Sequence, residues 1–124
     1  MKRWLLPLSI LAVAAPALAA PGDMSVAAFL RRAEELQAMG PMAQFSPKLD
    51  VLRSEGNAAK RAYGIRLAQE RRLGKPSSCP PPGADTTVER FLGHLRSYPV
   101  ARRGAVSMNT AVADYYIRTW PCRR

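Results

Sequence analysis

The stretch Thr86-Thr87-Val88-Glu89-Arg90-Phe91-Leu92-Gly93-His94-Leu95-Arg96-Ser97-Tyr98-Pro99 carries the clearest helix signal in the sequence. Its apolar residues recur every three or four positions, which is the spacing of one helix face. Thr86 and Glu89 have the spacing of a capping box at the start of a helix. Pro99 predicts the end, because proline disfavours helical geometry in the residue before it. The predicted core positions are Val88, Phe91, Leu92, Leu95 and Tyr98.

Proline-rich segments lie on both sides of this helix. Residues 74–84, Gly-Lys-Pro-Ser-Ser-Cys-Pro-Pro-Pro-Gly-Ala, contain four prolines and two glycines, which predict a stiff loop. After the helix, a short basic connector leads to Ser107, the predicted N-cap of a last helix that runs to about Thr119. The sequence then closes with Trp120-Pro121-Cys122.

The two cysteines, Cys79 and Cys122, lie in these flanking segments. In an exported chain, pairing is the expected state of two cysteines. The bond would close a loop of about 44 residues, which corresponds to about 4 kcal/mol in the chain-entropy model. A metal site or a reactive thiol is the alternative. Two sulfurs and the single histidine, His94, fall short of the usual four structural zinc ligands.

A first helix is predicted near the start of the folded region. Ser25 is its N-cap, and Gly40-Pro41 is its stop signal. Residues 41–46 are then a connector. The apolar face of this helix consists of Val26, Phe29, Leu30, Ala33 and Leu36.

A long second helix is predicted to open at Ser46-Pro47. It runs to about Leu73 and stops at Gly74. Gly56 and Gly64 each weaken it by up to about 1 kcal/mol relative to alanine. A bend or break at either glycine is therefore the alternative to a continuous helix.

The second helix has two distinct faces at about 100° per residue. One is a core face, formed by Leu49, Leu52, Gly56, Ala59, Tyr63 and Leu67. The other is the most concentrated positive charge in the sequence, formed by Arg53, Lys60, Arg61, Arg71, Arg72 and Lys75. A charged face of this kind is either solvated or contacts an acidic partner.

The first residues have the pattern of a secretory signal peptide. Lys2-Arg3 is basic, residues 4–13 are apolar, and Ala17-Leu18-Ala19 is a small-x-small cleavage pattern. We predict a signal peptide over residues 1–19 and a single helical domain over residues 20–124, in the periplasm or outside the cell. A membrane anchor is the alternative, but the apolar run is shorter than the roughly 20 residues of a spanning helix. No later stretch is apolar enough to cross a bilayer.

Composition points to one small all-α domain, a bundle of about four helices with one disulfide. The chain of 124 residues has 19 basic and 9 acidic residues, a net charge of +10. Without Lys2 and Arg3 the net charge is +8, which favours an acidic partner. Export disfavours nucleic acid as that partner.

The sequence offers little for catalysis. His94 is the single imidazole, and a histidine at the edge of the core is its simplest interpretation. Glu34-Glu35 are adjacent on a helix, while Asp85 and Glu89 suit a helix start. We therefore predict no catalytic residues, no metal and no cofactor, hence no enzyme. A hydrolase that uses His94 is the weaker alternative.

Aromatic residues cluster with arginines at the end of the sequence. Tyr115, Tyr116 and Trp120 lie near Arg118 and the final arginines. Aromatic and arginine side chains dominate interaction hot spots. The predicted partner-binding residues are Tyr116 and Trp120, together with the six basic residues of the second helix.

The second half of the sequence resembles a known family. The motifs are Cys79-Pro80-Pro81-Pro82-Gly83, the amphipathic stretch from Val88 to Pro99, the last helix from Ser107, and the aromatic-proline-cysteine ending Trp120-Pro121-Cys122. In this order they resemble the small exported immunity proteins of the Rap/Tai group, which protect bacteria against type VI secretion effectors.

The resemblance covers residues 79–124 and implies a helical periplasmic protein with these cysteines paired. Family members usually carry a further cysteine in the first half, near a tyrosine-glycine stretch. This sequence has Ala62-Tyr63-Gly64 there and no third cysteine.

These observations predict an exported binding protein, monomer or homodimer, that neutralises a secreted effector toxin by complex formation. The expected partner is an acidic protein. The alternative is a basic envelope-associated structural protein that binds anionic lipid or lipopolysaccharide.

Overall fold

Four α-helices form the part of the chain that the computed structural model describes, residues 20–123. They are α1 (Val26–Ala38), α2 (Pro47–Arg72), α3 (Val88–Ser97) and α4 (Met108–Thr119). Short 3-10 helices follow α1 at Gly40–Phe45 and α3 at Val100–Arg102. The predicted all-α bundle is confirmed. The signal peptide predicted at residues 1–19 lies outside the described residues, as does Arg124.

Three of the predicted N-caps are confirmed. The side-chain oxygens of Ser25, Ser46 and Ser107 each accept a backbone N–H of the following turn. These oxygens satisfy amide groups that a helix leaves without an internal partner.

The capping box predicted for α3 is wrong by one residue. Thr87, rather than Thr86, is the N-cap, and its hydroxyl accepts the N–H of Arg90. The Thr86 hydroxyl is instead hydrogen-bonded to the hydroxyl of Tyr115 on α4. A tertiary contact therefore decides which of two adjacent threonines caps the helix.

α2 is a single helix of 26 residues, about 39 Å long. It runs through Gly56 and Gly64 without a break, so the continuous helix is the correct one of the two alternatives. Packing of α2 against α1 and α4 outweighs the cost of the two glycines. The connector predicted at residues 41–46 is largely a 3-10 helix.

The core lies where the four helices meet. Predicted core residues Leu52, Ala59, Tyr63 and Leu67 of α2 are buried. Val88 is a predicted core residue but is 70% exposed, because no helix among the described residues covers the first turn of α3 on that side. The other buried apolar residues are Val26, Phe29, Leu30, Ala33, Leu36, Leu92, Leu95, Tyr98, Val106, Met108, Ala111, Val112, Ala113 and Tyr115.

The disulfide between Cys79 and Cys122 is confirmed, with Cα atoms 4.9 Å apart. It joins the proline-rich loop to the segment that follows α4. The N–H of Cys79 also donates to the carbonyl of Trp120, at 2.7 Å. Both ends of this connection are thereby fixed beside the last turn of α4.

Candidate functional site

An apolar groove runs between α2 and α3, above α1 and α4. Its volume is about 430 Å³. α2 packs on α1 and α4, and α3 packs on the same two helices. The two supporting helices therefore form the floor of the α2–α3 groove, while α2 and α3 form its walls.

The lining of the groove is mainly aliphatic and aromatic. Leu49 and Leu52 come from α2, and Val88 and Phe91 from α3. Phe29 from α1 meets Phe91 edge-on, with ring centroids 6.4 Å apart. The remaining apolar and aromatic lining residues are Ala33, Leu36, Gly56, Ala84, Leu92, Val112, Tyr115, Tyr116 and Trp120. Such a lining, with few polar groups, is typical of binding sites.

Both predicted partner-binding aromatics, Tyr116 and Trp120, line this groove. The rings of Tyr116 and Trp120 are 5.1 Å apart, and Tyr116 lies 5.0 Å from the ring of Tyr63. Both are partly buried, and burial raises the pKa of the Tyr116 hydroxyl. Trp120 follows α4 directly, so the neighbouring disulfide holds it in place.

The charged residues of the groove are unequally distributed between its walls. Arg53 and Lys60 line it from α2, while Asp85 lines it from the loop before α3. Arg53 is within 3.9 Å of Asp50, one turn earlier, and both side chains are largely exposed. The α2 wall is therefore the cationic side.

The structure divides the predicted basic face of α2. Arg53, Lys60 and Arg71 lie within about 20° of one another around the helix axis at 100° per residue. Arg53 and Lys60 line the α2–α3 groove, and Arg71 lines a second, more open depression with Pro80–Ala84 and Tyr116. These three residues form a line along α2 that borders both concave regions.

The other predicted basic residues do not belong to that line. Arg61 and Arg72 point about 80–100° away from Arg53 around the axis of α2 and are exposed. Lys75 was assigned to the same face, but α2 ends at Arg72 and Gly74 adopts a positive φ of 70°. Helical spacing therefore does not set the direction of Lys75, and its place on the face stays a prediction.

Gly56 lies in the α2 wall of the groove and has no side chain. It lies between Arg53 and Lys60, three residues after one and four before the other, so the three share one side of α2. A Cβ atom built at Gly56 meets no other atom of residues 20–123 within 4 Å. The glycine therefore does not serve close packing of two helices, and it leaves space open.

His94 lies away from the groove, in the packing between α3 and α4. Its Nε2–H donates to the carbonyl of Ala111 at 2.8 Å, and its ring packs against Tyr98 and Tyr115. Burial lowers the pKa of His94. Tyr98, which packs against His94, donates its hydroxyl hydrogen to Asp114. Burial raises the pKa of the Tyr98 hydroxyl.

Sequence patterns missed the walls of the groove. Val88, Phe91 and Leu49 were assigned to the core, and Gly56 was counted as a core position as well. A glycine within an otherwise apolar helix face was the available signal, since it removes a side chain where one would be expected. The residues that form the floor of the groove can be identified only from the packing of all four helices.

The described residues contain neither a metal-binding cluster nor a membrane-spanning helix. Among residues 20–123, no group of histidine, cysteine and acidic side chains is arranged to hold a metal ion. No helix in the same range combines the length and apolar character needed to cross a membrane.

Comparison with protein-family models gives no match for this chain, and comparison with curated proteins and with solved structures gives none either.

Proposed function

We propose that this protein is an exported binding protein that neutralises a secreted effector toxin by forming a complex with it. The observation that carries the proposal is that four of the predicted partner-binding residues line the α2–α3 groove. Arg53 and Lys60 come from α2, and Tyr116 and Trp120 come from the end of the chain. All four were selected from the sequence as partner-binding residues, for reasons that did not involve the groove.

The groove combines the two properties expected of a docking surface for an acidic protein. Its apolar lining provides area that a partner can remove from water. The cations on α2 attract negative charge and accelerate encounter more than they raise affinity. Binding is sufficient for this role, because a toxin whose working surface is covered does not act.

The disulfide supports an extracytoplasmic location. Disulfides persist in the periplasm and outside the cell, whereas the cytosol keeps most thiols reduced. The Cys79–Cys122 bond agrees with the signal peptide expected at residues 1–19. The resemblance of residues 79–124 to the Rap/Tai immunity proteins supports the same location and role.

The test is capture of an effector by the mature protein. Purified protein is mixed with candidate effectors, first with any encoded by neighbouring genes, and the affinity is measured. Deletion of the gene should sensitise cells to the captured effector. If no effector binds and deletion leaves the cells equally resistant, the proposal is wrong.

Two adjacent residues provide a matched pair of variants. Lys60→Glu and Arg61→Glu change the net charge equally, but only Lys60 lines the groove. General attraction of the basic protein for an acidic partner is therefore reduced to the same extent in both. We expect Lys60→Glu to weaken effector binding at least tenfold more than Arg61→Glu.

A second candidate function is binding of anionic lipid or lipopolysaccharide by the outward side of α2. Ile65 is 64% exposed and lies on the same side as Arg61 and Arg72. An apolar residue among cations suits a membrane surface. This candidate predicts binding to anionic vesicles that falls steeply as salt rises. Saturable, salt-insensitive binding to an effector contradicts it.

A further inference from the structure

The bare surface at Gly56 has the character of a small binding subsite rather than a helix-packing contact. Glycine in a helix interior costs up to about 1 kcal/mol relative to alanine, and no element within residues 20–123 packs against the position of the missing side chain. Any larger residue at position 56 would extend into the α2–α3 groove. Gly56 is thus the residue that keeps this part of the groove open.

The size of the groove limits what it accepts. A volume of about 430 Å³ lies in the lower half of the range of roughly 300–1,000 Å³ that is usual for small-ligand sites. Such a space holds one or two large side chains and not a complete helix of a partner. Affinity in protein complexes often depends on single anchors of this kind, seated in a pocket.

The charges around Gly56 define the orientation of the occupant. Lys60 lies one turn further along α2, about 6 Å along the axis. Arg53, one turn before, already has Asp50 as a neighbour. Asp85, before α3, repels negative charge at the groove. An anionic group is therefore favoured next to Lys60 and disfavoured near Asp85.

We propose that the groove seats one large apolar side chain of the effector against Gly56, with a neighbouring carboxylate of the effector paired with Lys60. This recognition element rests on the proposed function, and it specifies the chemistry of the contact. We name the position the Gly56 subsite. It is formed by Gly56, Arg53 and Lys60 on α2 and by Val88 and Phe91 on α3, all of which line the groove.

A small amphipathic anion tests the subsite directly. The probe is 1-anilinonaphthalene-8-sulfonate, which joins an aromatic body to one sulfonate and becomes fluorescent in apolar surroundings. Titration with the probe gives an affinity, and near-UV circular dichroism checks that packing is intact, because partly folded states also bind this probe.

Two glycines of the same helix supply the decisive pair of variants. Gly56→Leu fills the groove, whereas Gly64→Leu lies on the exposed side of α2. In the part of the chain that the structure describes, neither new Cβ meets an atom within 4 Å. Both variants should fold, since leucine favours a helix more than glycine does. We expect Gly56→Leu to weaken probe binding at least tenfold and Gly64→Leu to leave it within twofold. Equal binding by the two variants would overturn the proposal.

The contribution of charge is tested separately. We expect Lys60→Gln to weaken probe binding several-fold and Arg61→Gln to leave it unchanged. Loss of the same size in both variants would show that overall charge attracts the probe, and it would overturn the pairing with Lys60.

The effector decides whether the subsite serves the proposed function. An effector that binds Gly64→Leu but not Gly56→Leu supports the proposal. An effector that binds both variants equally overturns the subsite and leaves the proposed function standing. Absence of any effector for the wild-type protein overturns both, even where the probe binds.

Discussion

The hydroxyl oxygen of Tyr63 lies 2.6 Å from Oγ of Ser78, and both residues are almost completely buried. The same hydroxyl lies 2.8 Å from Oγ of Ser77. Tyr63 belongs to α2, and the serines precede Cys79 in the proline-rich loop. These contacts connect the wall of the groove to the segment that the disulfide fixes.

Replacement of Tyr63 by phenylalanine should therefore destabilise the protein. The change leaves the buried hydroxyl of Ser78 without this partner, at a cost of about 1–3 kcal/mol. Urea denaturation measures the loss. The matched control is Tyr116→Phe, because the Tyr116 hydroxyl has no hydrogen bond within residues 20–123. We expect a change of no more than about 0.5 kcal/mol there, and similar losses in the two variants would contradict this role of Tyr63.

Removal of the disulfide should lower the free energy of unfolding by more than Tyr63→Phe does. The double variant Cys79→Ser, Cys122→Ser frees the end of the chain from the proline-rich loop, with an expected loss of about 2–4 kcal/mol. Denaturation of both proteins without reductant gives the difference. In the native wild-type protein neither cysteine should react with a thiol reagent. An unchanged unfolding midpoint would show that the bond contributes little to stability.

Gly22 is the glycine at which an added methyl group should be most harmful. Its φ is +97°, and a Cβ there would lie 2.5 Å from Oδ1 of Asn109. Its N–H donates to Glu55 at 2.6 Å, and its carbonyl accepts the N–H of Asn109 at 3.0 Å. Gly22→Ala should cost more than about 1 kcal/mol, because alanine is strained at positive φ.

The control for that variant is Gly64→Ala, on the exposed side of α2. Nothing obstructs a Cβ atom at this position, and alanine is the better helix former by up to about 1 kcal/mol. Thermal unfolding of the two variants should therefore shift in opposite directions. A rise in melting temperature for Gly22→Ala would show that alanine is not strained at position 22, and it would contradict this prediction.

Glu70 should make the stability depend on acid pH. Hydrogen bonds from Ser77 and Arg66 lower the pKa of this carboxyl from 4.5 to about 2. A carboxyl with a lowered pKa in the folded state stabilises the protein above its ordinary pKa. This contribution is lost as the pH falls from 4.5 towards 2. In Glu70→Gln, stability measured by denaturation should fall less steeply over that interval, and an unchanged slope would contradict the assignment.

Local chemistry made most helix ends predictable from the sequence. Ser25, Ser46 and Ser107 cap helices through bonds to the turn that follows, and Pro99 ends α3 through its own ring. The choice between Thr86 and Thr87 depended instead on Tyr115, which is distant in sequence. Helical spacing alone cannot predict that contact, because Tyr115 lies on another helix.

The candidate site was predictable in its residues but not in its shape. Periodicity identified the side of α3 that bears Val88 and Phe91, but not the absence of a covering helix. It likewise placed Lys60 and Arg61 on one basic face, although only Lys60 lines the groove. Whether a side of a helix becomes core, groove or solvent-exposed surface depends on what packs beside it.

Displacement of the fluorescent probe by a captured effector tests the central claim most directly, namely that the α2–α3 groove is the binding surface. The effector is titrated into the complex of the wild-type protein with 1-anilinonaphthalene-8-sulfonate, while its binding is followed independently by fluorescence anisotropy. We predict that probe fluorescence falls in parallel with effector binding, since both occupy the space beside Gly56. An effector that binds fully while the probe stays in place would contradict the account.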